Sequence, residues 1–448
     1  MENSSIFLSA VLWIFVWGAL GGMITPRIYA RRDLDIAQAS LGGAAVGAAL
    51  GPIGLIPLWI YTPRFTARIL TISTVIIIGI IVVAFARADP DNLCVVNGSF
   101  VISQLSNGLV IGIIYSLMAL GLTLIYSILG VVSFAHGEFY MIGGMVVYYL
   151  SVYPLYERFN DQVIVALQSR YLVWFGQTTW YTDWEALLLA IPGSIILVLS
   201  AAIVTFLLGI LFELLFLRVM NSGKIERPKE YAILVTFGLA FFLQYLVQAI
   251  AGANPVKVQR LFPFPNVDLP SSDNDWLLSM SPGNMRLFDA ISIPNPRFTA
   301  AVLSVILLLG LMWFLFRTWT GRGLRAVSQD QQAAAVAGIN PNTMNTLAFG
   351  MGAMLAGVSG ASLAQVFAWL PQVGIPAAAR SFVIIVLGGM GSLPGAFVGG
   401  IIVGLVEMVG VGCIPDPSRA AAYLPAYGMV ILTLTLLLKP TGLFGREL

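Results

Sequence analysis

Long apolar runs recur along this chain with hardly a charge inside them, and no other feature constrains the fold as strongly. A helix needs about 20 mostly apolar residues to cross about 30 Å of hydrocarbon. Windows of that kind lie near 6–24, 69–87, 107–129, 138–153, 187–217, 231–251, 299–317, 344–368, 395–412 and 424–439. The run 377–390 is short and closes on Leu387-Gly388-Gly389-Met390-Gly391, which predicts a half-helix or a short span. The run 41–60 is apolar but interrupted by Gly51-Pro52 and Gly54. The predicted fold class is all-α, a polytopic membrane helical bundle.

The charge inventory agrees. Only 10% of the residues are charged, against 58% hydrophobic, where a soluble domain carries about 25% charged residues. A soluble enzyme, a disordered regulator and a nucleic-acid binder are thereby excluded, the last also by a net charge of only +2. One histidine and two cysteines without C-x-x-C spacing offer no metal site, and no cofactor is expected. Gly223-Lys224 runs into Ile225 without the upstream glycine of a phosphate loop, and no nucleophile–base pair stands out, so catalysis by the chain itself is not expected. The N-terminus fits a secretory signal poorly, because nothing basic precedes Ile6.

Orientation follows from the basic residues of the short connections. If 107–129 enters from outside and 377–390 crosses, the C-terminus is cytoplasmic, and the inside segments hold Arg27, Arg31, Arg32, Arg64, Arg68, Arg218, Lys224, Arg227, Lys229, Arg317, Arg322, Arg325, Lys439 and Arg446. The longer outside segments hold the other basic residues, diluted by most of the acids. The bias requires 41–60 to dip in and return, since basic clusters flank it on both sides; a full span that breaks the charge rule is the alternative. Three outside connections carry most of the polar mass: 88–106, the Trp- and Tyr-rich 154–186, and the Pro/Asn/Asp-rich 252–298. Each is long enough to serve as a docking surface, or to form a simple ordered cap. Cys94 and Cys413 both fall outside, either paired in a disulfide or as separate thiols.

Ionisable groups inside a membrane call for a functional reading. Glu138 and His136 flank Gly137 directly after Leu129-Gly130-Val131-Val132. Either this is a helix break that puts polar groups beside a central path, or it is a turn at the cytoplasmic face with Glu138 in the next helix's first turn. Glu407 is isolated in an apolar run, and Glu213 lies near Arg218. Two isolated carboxylates are too few for a proton relay. Residues 324–337 predict one short helix, stopped by Gly338 and Pro341, that acts as a docking element or a plain connector.

The stretch Val132-Ser133-Phe134-Ala135-His136-Gly137-Glu138-Phe139-Tyr140-Met141-Ile142-Gly143-Gly144 resembles a signature of the branched-chain amino-acid ABC permease family, in particular its H-type (LivH-like) subunit. Asn107-Gly108-Leu109, Leu122–Tyr126, Gly321–Ile339, Leu387–Ala396 and Lys439-Pro440-Thr441-Gly442 fit the same pattern in the same order. The resemblance covers most of 103–446 and leaves 1–102 as an N-terminal membrane extension; 154–186 and 252–298 are longer than the family's usual loops.

The resemblance implies one membrane half of an ATP-driven importer in a bacterial cell membrane. The implied partners are an M-type permease or a second copy, two cytoplasmic ATPase subunits and an extracytoplasmic substrate-binding protein. The small-molecule substrate would be a branched-chain or other amino acid, or in related systems urea or a short amide. His136 and Glu138 are then candidates for the pathway or its gate, with Asn107, Gln244 and Gln365 as weaker lining candidates. Gly321, Arg322, Arg325, Ala326, Asp330 and Gly338 belong to the segment that resembles the ATPase-coupling region. Gly137, Gly388, Gly391 and Pro394 are candidates for hinges or close packing. An ion-coupled secondary transporter and a non-transporting membrane scaffold are the rival readings.

Overall fold

The structure is a computed structural model that describes residues 98–152, 184–222, 225–258, 267–270, 276–280, 284–287, 291–413, 417–438 and 441–445. The expected spans 6–24 and 69–87, the segment 41–60 and nearly all of 154–186 lie outside the described residues. The chain divides into two compact units. One comprises 1–98, 410–424 and 433–440, and in it Cys413 is disulfide-bonded, which rules out the reading of separate thiols at that residue. The other comprises 99–409, 425–432 and 441–448 and holds the helical bundle.

In chain order the helices are α1 Gly98–Leu129, α2 His136–Val152, α3 Trp184–Phe212, α4 Pro228–Ala251, α5 Asn295–Arg317, α6 Trp319–Gln329, α7 Gln331–Val336, α8 Pro341–Leu363, α9 Gly374–Gly388, α10 Leu393–Gly412 and α11 Pro417–Leu438. A π turn, Glu213–Leu217, and a 3₁₀ turn, Arg218–Ser222, prolong α3, and a second 3₁₀ turn, Pro371–Val373, leads into α9. Seven described helical segments are long and apolar enough to cross a membrane: α1, α3 with its extension, α4, α5, α8, α9 with its leading turn, and α10.

α8 is the hub, packed against α3 on one side and α2 on the other. Gly357 on α8 lies directly against Thr205 of α3 and Gly143 of α2, so a side chain there has nowhere to go. α1 and α10 meet the same way, with Gly112 and Gly404 backbone to backbone. Hydrocarbon is as apolar as leucine, so membrane helices gain by close van der Waals approach, and small residues permit it.

Two elements differ from expectation. Segment 252–298 is not a plain loop: its described residues include four strands, β1 Val267–Pro270, β2 Trp276–Met280, β3 Asn284–Leu287 and β4 Ile291–Pro294, in an antiparallel meander of order β1-β2-β3-β4. β2 and β3 align Leu278 with Leu287, and β3 and β4 align Met285 with Ile293. The sheet runs straight into α5, whose first turn tolerates Pro296 because that N–H has no helical partner anyway.

Segment 324–337 is two helices rather than one. Asp330 is extended at φ −154° and ψ 112°, and its carboxylate accepts from the N–H of Gln332 at 2.8 Å and Ala333 at 3.0 Å. An aspartate that caps the next helix competes with helix continuation, so α6 stops and α7 begins. α6 itself starts earlier than predicted, because the Thr318 hydroxyl accepts from Gly321 N–H at 3.0 Å.

Candidate functional site

α1 ends at Gly130, left-handed at φ +70°. The chain then doubles back without regular structure before α2 begins at His136. His136 Nε2 lies 2.9 Å from the carbonyl oxygen of Met118. Met118 is eleven residues before Leu129, so α2 starts about 16 Å inside the bundle from that end of α1. Expressed as length, α2 spans about 25 Å, short of about 30 Å of hydrocarbon, and α9 without its leading turn about 22 Å.

The two short helices begin against each other. Gly137 rests on the Gly374 carbonyl and Ala378, and the Glu138 carboxylate packs on Gly374 where any side chain would collide. Glu138 and His136 are buried, and Glu138 Oε2 and His136 Nδ1 have no hydrogen-bond partner among the described residues. A carboxylate at two helix N-termini is favoured by both dipoles. Glu138 does sit in a first turn, as the turn reading held; that turn, however, lies deep in the bundle rather than at its face.

Beside this point lies an ion pair. Arg380 Nε, in the second turn of α9, donates to Glu407 Oε1 of α10 at 3.1 Å. Tyr115 of α1 donates its hydroxyl to Glu407 Oε2, also at 3.1 Å, and the guanidinium sits 5.5 Å from the Tyr115 ring centre. A charge count that places Arg380 among the outside basic residues is corrected here: it reaches into the bundle. Neither Arg380 nor Tyr115 was singled out from sequence. The available signal was a lone arginine and a lone glutamate in neighbouring apolar runs, each too costly there unless paired.

The weaker candidates separate. Asn107 donates to the carbonyls of Ser103 and Ser292 at 2.9 and 3.0 Å and accepts from Arg297 Nη1 at 3.2 Å, tying α1 to β4 and α5. Gln365 reaches the same region, with Nε2 3.4 Å from the Pro296 carbonyl. Gln244 is buried on α4. Arg297, which sequence reasoning also passed over, thus joins Asn107 at the first turn of α5.

At the Leu129 end, Gly321 is pressed onto the backbone of Phe314 and Leu315. Arg322 stacks over Trp319 at 4.3 Å and Arg325 over Phe316 at 4.7 Å. Asp330 N–H donates to the Ala326 carbonyl at 3.1 Å, and Gly338 ends α7 at φ +86°. Gln331 Nε2 donates to the Ile128 carbonyl at 2.9 Å and ties this pair of short helices to the end of α1. The turn from α9 to α10 uses left-handed Gly389 and Gly391 at φ +99° and +86°, presses Gly388 against Gly395, and places Pro394 second in α10. The N–H groups of Leu443 and Phe444 donate to the last carbonyls of α9, at Leu387 and Gly388.

Comparison with known proteins adds a family. Residues 104–439 match the family described as the permease component of branched-chain amino acid transport systems. The high-affinity branched-chain amino acid transport system permease protein LivH of Escherichia coli K12 is 29% identical over 348 residues, 78% of this chain and 96% of LivH. The corresponding BraD protein of Pseudomonas aeruginosa PAO1 is 30% identical over 346 residues, 77% of this chain and 96% of BraD. The fructose import permease protein FrcC of Rhizobium meliloti is 31% identical over a shorter stretch of 124 residues, 26% of this chain and 34% of FrcC. No solved structure matches significantly. With three quarters of its length inside that match, the chain belongs to the family of branched-chain amino acid transport permeases, as a non-catalytic, multi-pass membrane subunit of an ABC-type importer.

Proposed function

We propose that this permease moves zwitterionic amino acids, branched-chain ones among them, along a path that passes the meeting point of α2 and α9. The observation that carries this reading is the pair of helix N-termini buried together with Glu138 about halfway through the bundle. Such breaks supply dipoles and polar groups where a path needs them. His136 and Glu138 form its gate; Asn107 and Gln365, with Arg297, line its approach on the side of the sheet. Gln244 has a more distant part. Gly137, Gly388, Gly391 and Pro394 permit the close contacts and sharp turn around which α2, α9 and α10 shift.

The wider assembly has a second permease half, of M-type or a second copy, two ATPase subunits and an extracytoplasmic binding protein. LivH and BraD, permease proteins of high-affinity branched-chain amino acid transport systems, support the substrate class. α6 and α7, over 319–338, receive the ATPase motion: they are short, largely exposed, and bonded to α1 and α5, the elements that would transmit it. On this reading they and the C-terminus lie on the cytoplasmic side of a bacterial inner membrane. Residues 1–102 form a membrane extension to a permease domain of 103–446, a division supported by the family match beginning at residue 104.

The test is purification with co-expressed partner subunits, followed by ATP-driven uptake of leucine and of urea in vesicles. Leucine uptake by the assembly is the expected result. Flux through the isolated chain on an imposed ion gradient would sink the reading.

A further inference from the structure

Arg380 has an environment that its pairing with Glu407 does not explain. Its side chain keeps 24% of its surface open, whereas Glu407 keeps 2%. It stands one turn beyond Pro376, which is exposed, at the inner limit of the open first part of α9, because Val383 and Ile384 one turn further on are buried. The Nε–H is committed to Glu407 and Tyr115 covers one flank. Among the described residues the hydrogen bond of the guanidinium runs through Nε–H, which leaves its terminal N–H groups to donate elsewhere. An arginine edge at this depth is too costly to leave against lipid. On the reading above, with two permease halves, an open arginine here belongs at the wet seam between them, where a solute passes.

A guanidinium edge presents parallel N–H donors whose spacing matches the two oxygens of a carboxylate. Glu407, itself fixed by the Tyr115 hydroxyl, holds the opposite side of the guanidinium and so sets the direction of that edge. We propose that Arg380 recognises the carboxylate of the passing amino acid, with Glu407 and Tyr115 as positioning residues. This rests on the reading of the chain as an amino-acid permease. Urea, which lacks a carboxylate, gains nothing from Arg380 on this account.

The experiment is ATP-driven uptake of labelled L-leucine by the complete importer in vesicles, with its binding protein saturated. Arg380→Gln, Arg380→Lys, Glu407→Gln and the double variant Arg380→Gln/Glu407→Gln are compared, each after partner retention is checked on purification. Arg380→Gln is expected to lower uptake at least 10-fold, and Arg380→Lys to recover part of it. The double variant leaves no unpaired buried charge, yet its uptake is expected to stay as low as that of Arg380→Gln. Glu407→Gln keeps an acceptor for the Arg380 Nε–H but loses the charge that fixes the guanidinium, so it is expected to lower uptake, by less than Arg380→Gln does. Recovery in the double variant to more than half of wild type would overturn the inference, because Arg380 would then only neutralise Glu407. So would a loss in Glu407→Gln as deep as in Arg380→Gln. If the wild-type importer takes up no amino acid, the amino-acid reading falls and this inference with it. That outcome differs from the others because it appears before any substitution.

Discussion

α8 and α5 are both 23-residue helices, yet they are built for opposite surroundings. The most apolar stretch of α8 is 83% buried within the protein; that of α5 is 33% buried. The buried helix is the less apolar of the two. It carries Gly350, Gly352, Gly357 and Gly360 with Ser359 and Ser362, whereas α5 turns Ile306, Leu309, Trp313 and Phe316 outward. In water this would be inverted. In hydrocarbon, an apolar side chain gains nothing by leaving the solvent, so burial follows closeness of approach rather than hydrophobicity.

The strongest way to break that contrast is Gly357→Leu. A side chain at Gly357 runs into Thr205 of α3, and Gly143 of α2 is already against its backbone. The collision involves three helices and little flexible side chain, so we expect a loss of at least about 3 kcal/mol, at the upper end for overpacked cores. The readout is the yield of monodisperse protein in mild detergent and its midpoint in a thermal scan; a midpoint within a degree of wild type would refute the account of α8 as the hub.

Next in size is Thr346→Val, in the second turn of α8. Its hydroxyl donates to the carboxylate of Glu213, which is buried in the π turn at the end of α3. Removing that donor leaves a buried carboxylate oxygen short of a partner, a loss of about 1–3 kcal/mol. Thermal scanning of the paired variants Thr346→Val and Thr346→Ser checks it: serine keeps the donor and should recover most of the midpoint.

At the far end of α5 the contrast becomes functional. Arg325 lies over Phe316, the exposed ring at the close of α5. Arg325→Glu removes that cation–π contact, about 0.5–1 kcal/mol at such a site. It should uncouple solute uptake from ATP hydrolysis, with the assembly still isolable. Simultaneous assays of uptake and phosphate release in vesicles give the ratio, and an unchanged ratio would remove Arg325 from the coupling path.

The same physics marks what the sequence made legible. Apolar length placed α3, α4, α5, α8 and α10 to within a few residues at most ends, since helices that cross hydrocarbon announce themselves by hydropathy. The sheet between α4 and α5 was hidden by its prolines and asparagines, which read as loop. The depth at which α2 begins was illegible for another reason. The run 138–153 is apolar throughout, and nothing local shows that residues 130–135 climb back beside Met118 before helix resumes. Glu407 looked isolated because its partner lies 27 residues earlier on a different helix, and only the turn at Gly389 and Gly391 brings the two together. The break at Asp330 was readable in principle. An aspartate before Gln-Gln-Ala-Ala is a helix start, and its place in an alanine-rich run concealed it.

The smallest expected effect sharpens the comparison most. Gly310 stands in the middle of α5 with nothing within 4 Å of where a side chain would begin. If α5 faces lipid or a loosely packed surface there, Gly310→Leu meets no neighbour and trades a poor helix former for a good one, worth up to about 1 kcal/mol of helix propensity. The thermal midpoint should then be unchanged or slightly raised, in direct opposition to the same substitution at Gly357. A large loss at Gly310 in the isolated chain would mean that burial in this bundle is not set by close approach of small residues. A loss that shows only in the complete importer would place the partner permease against this face of α5.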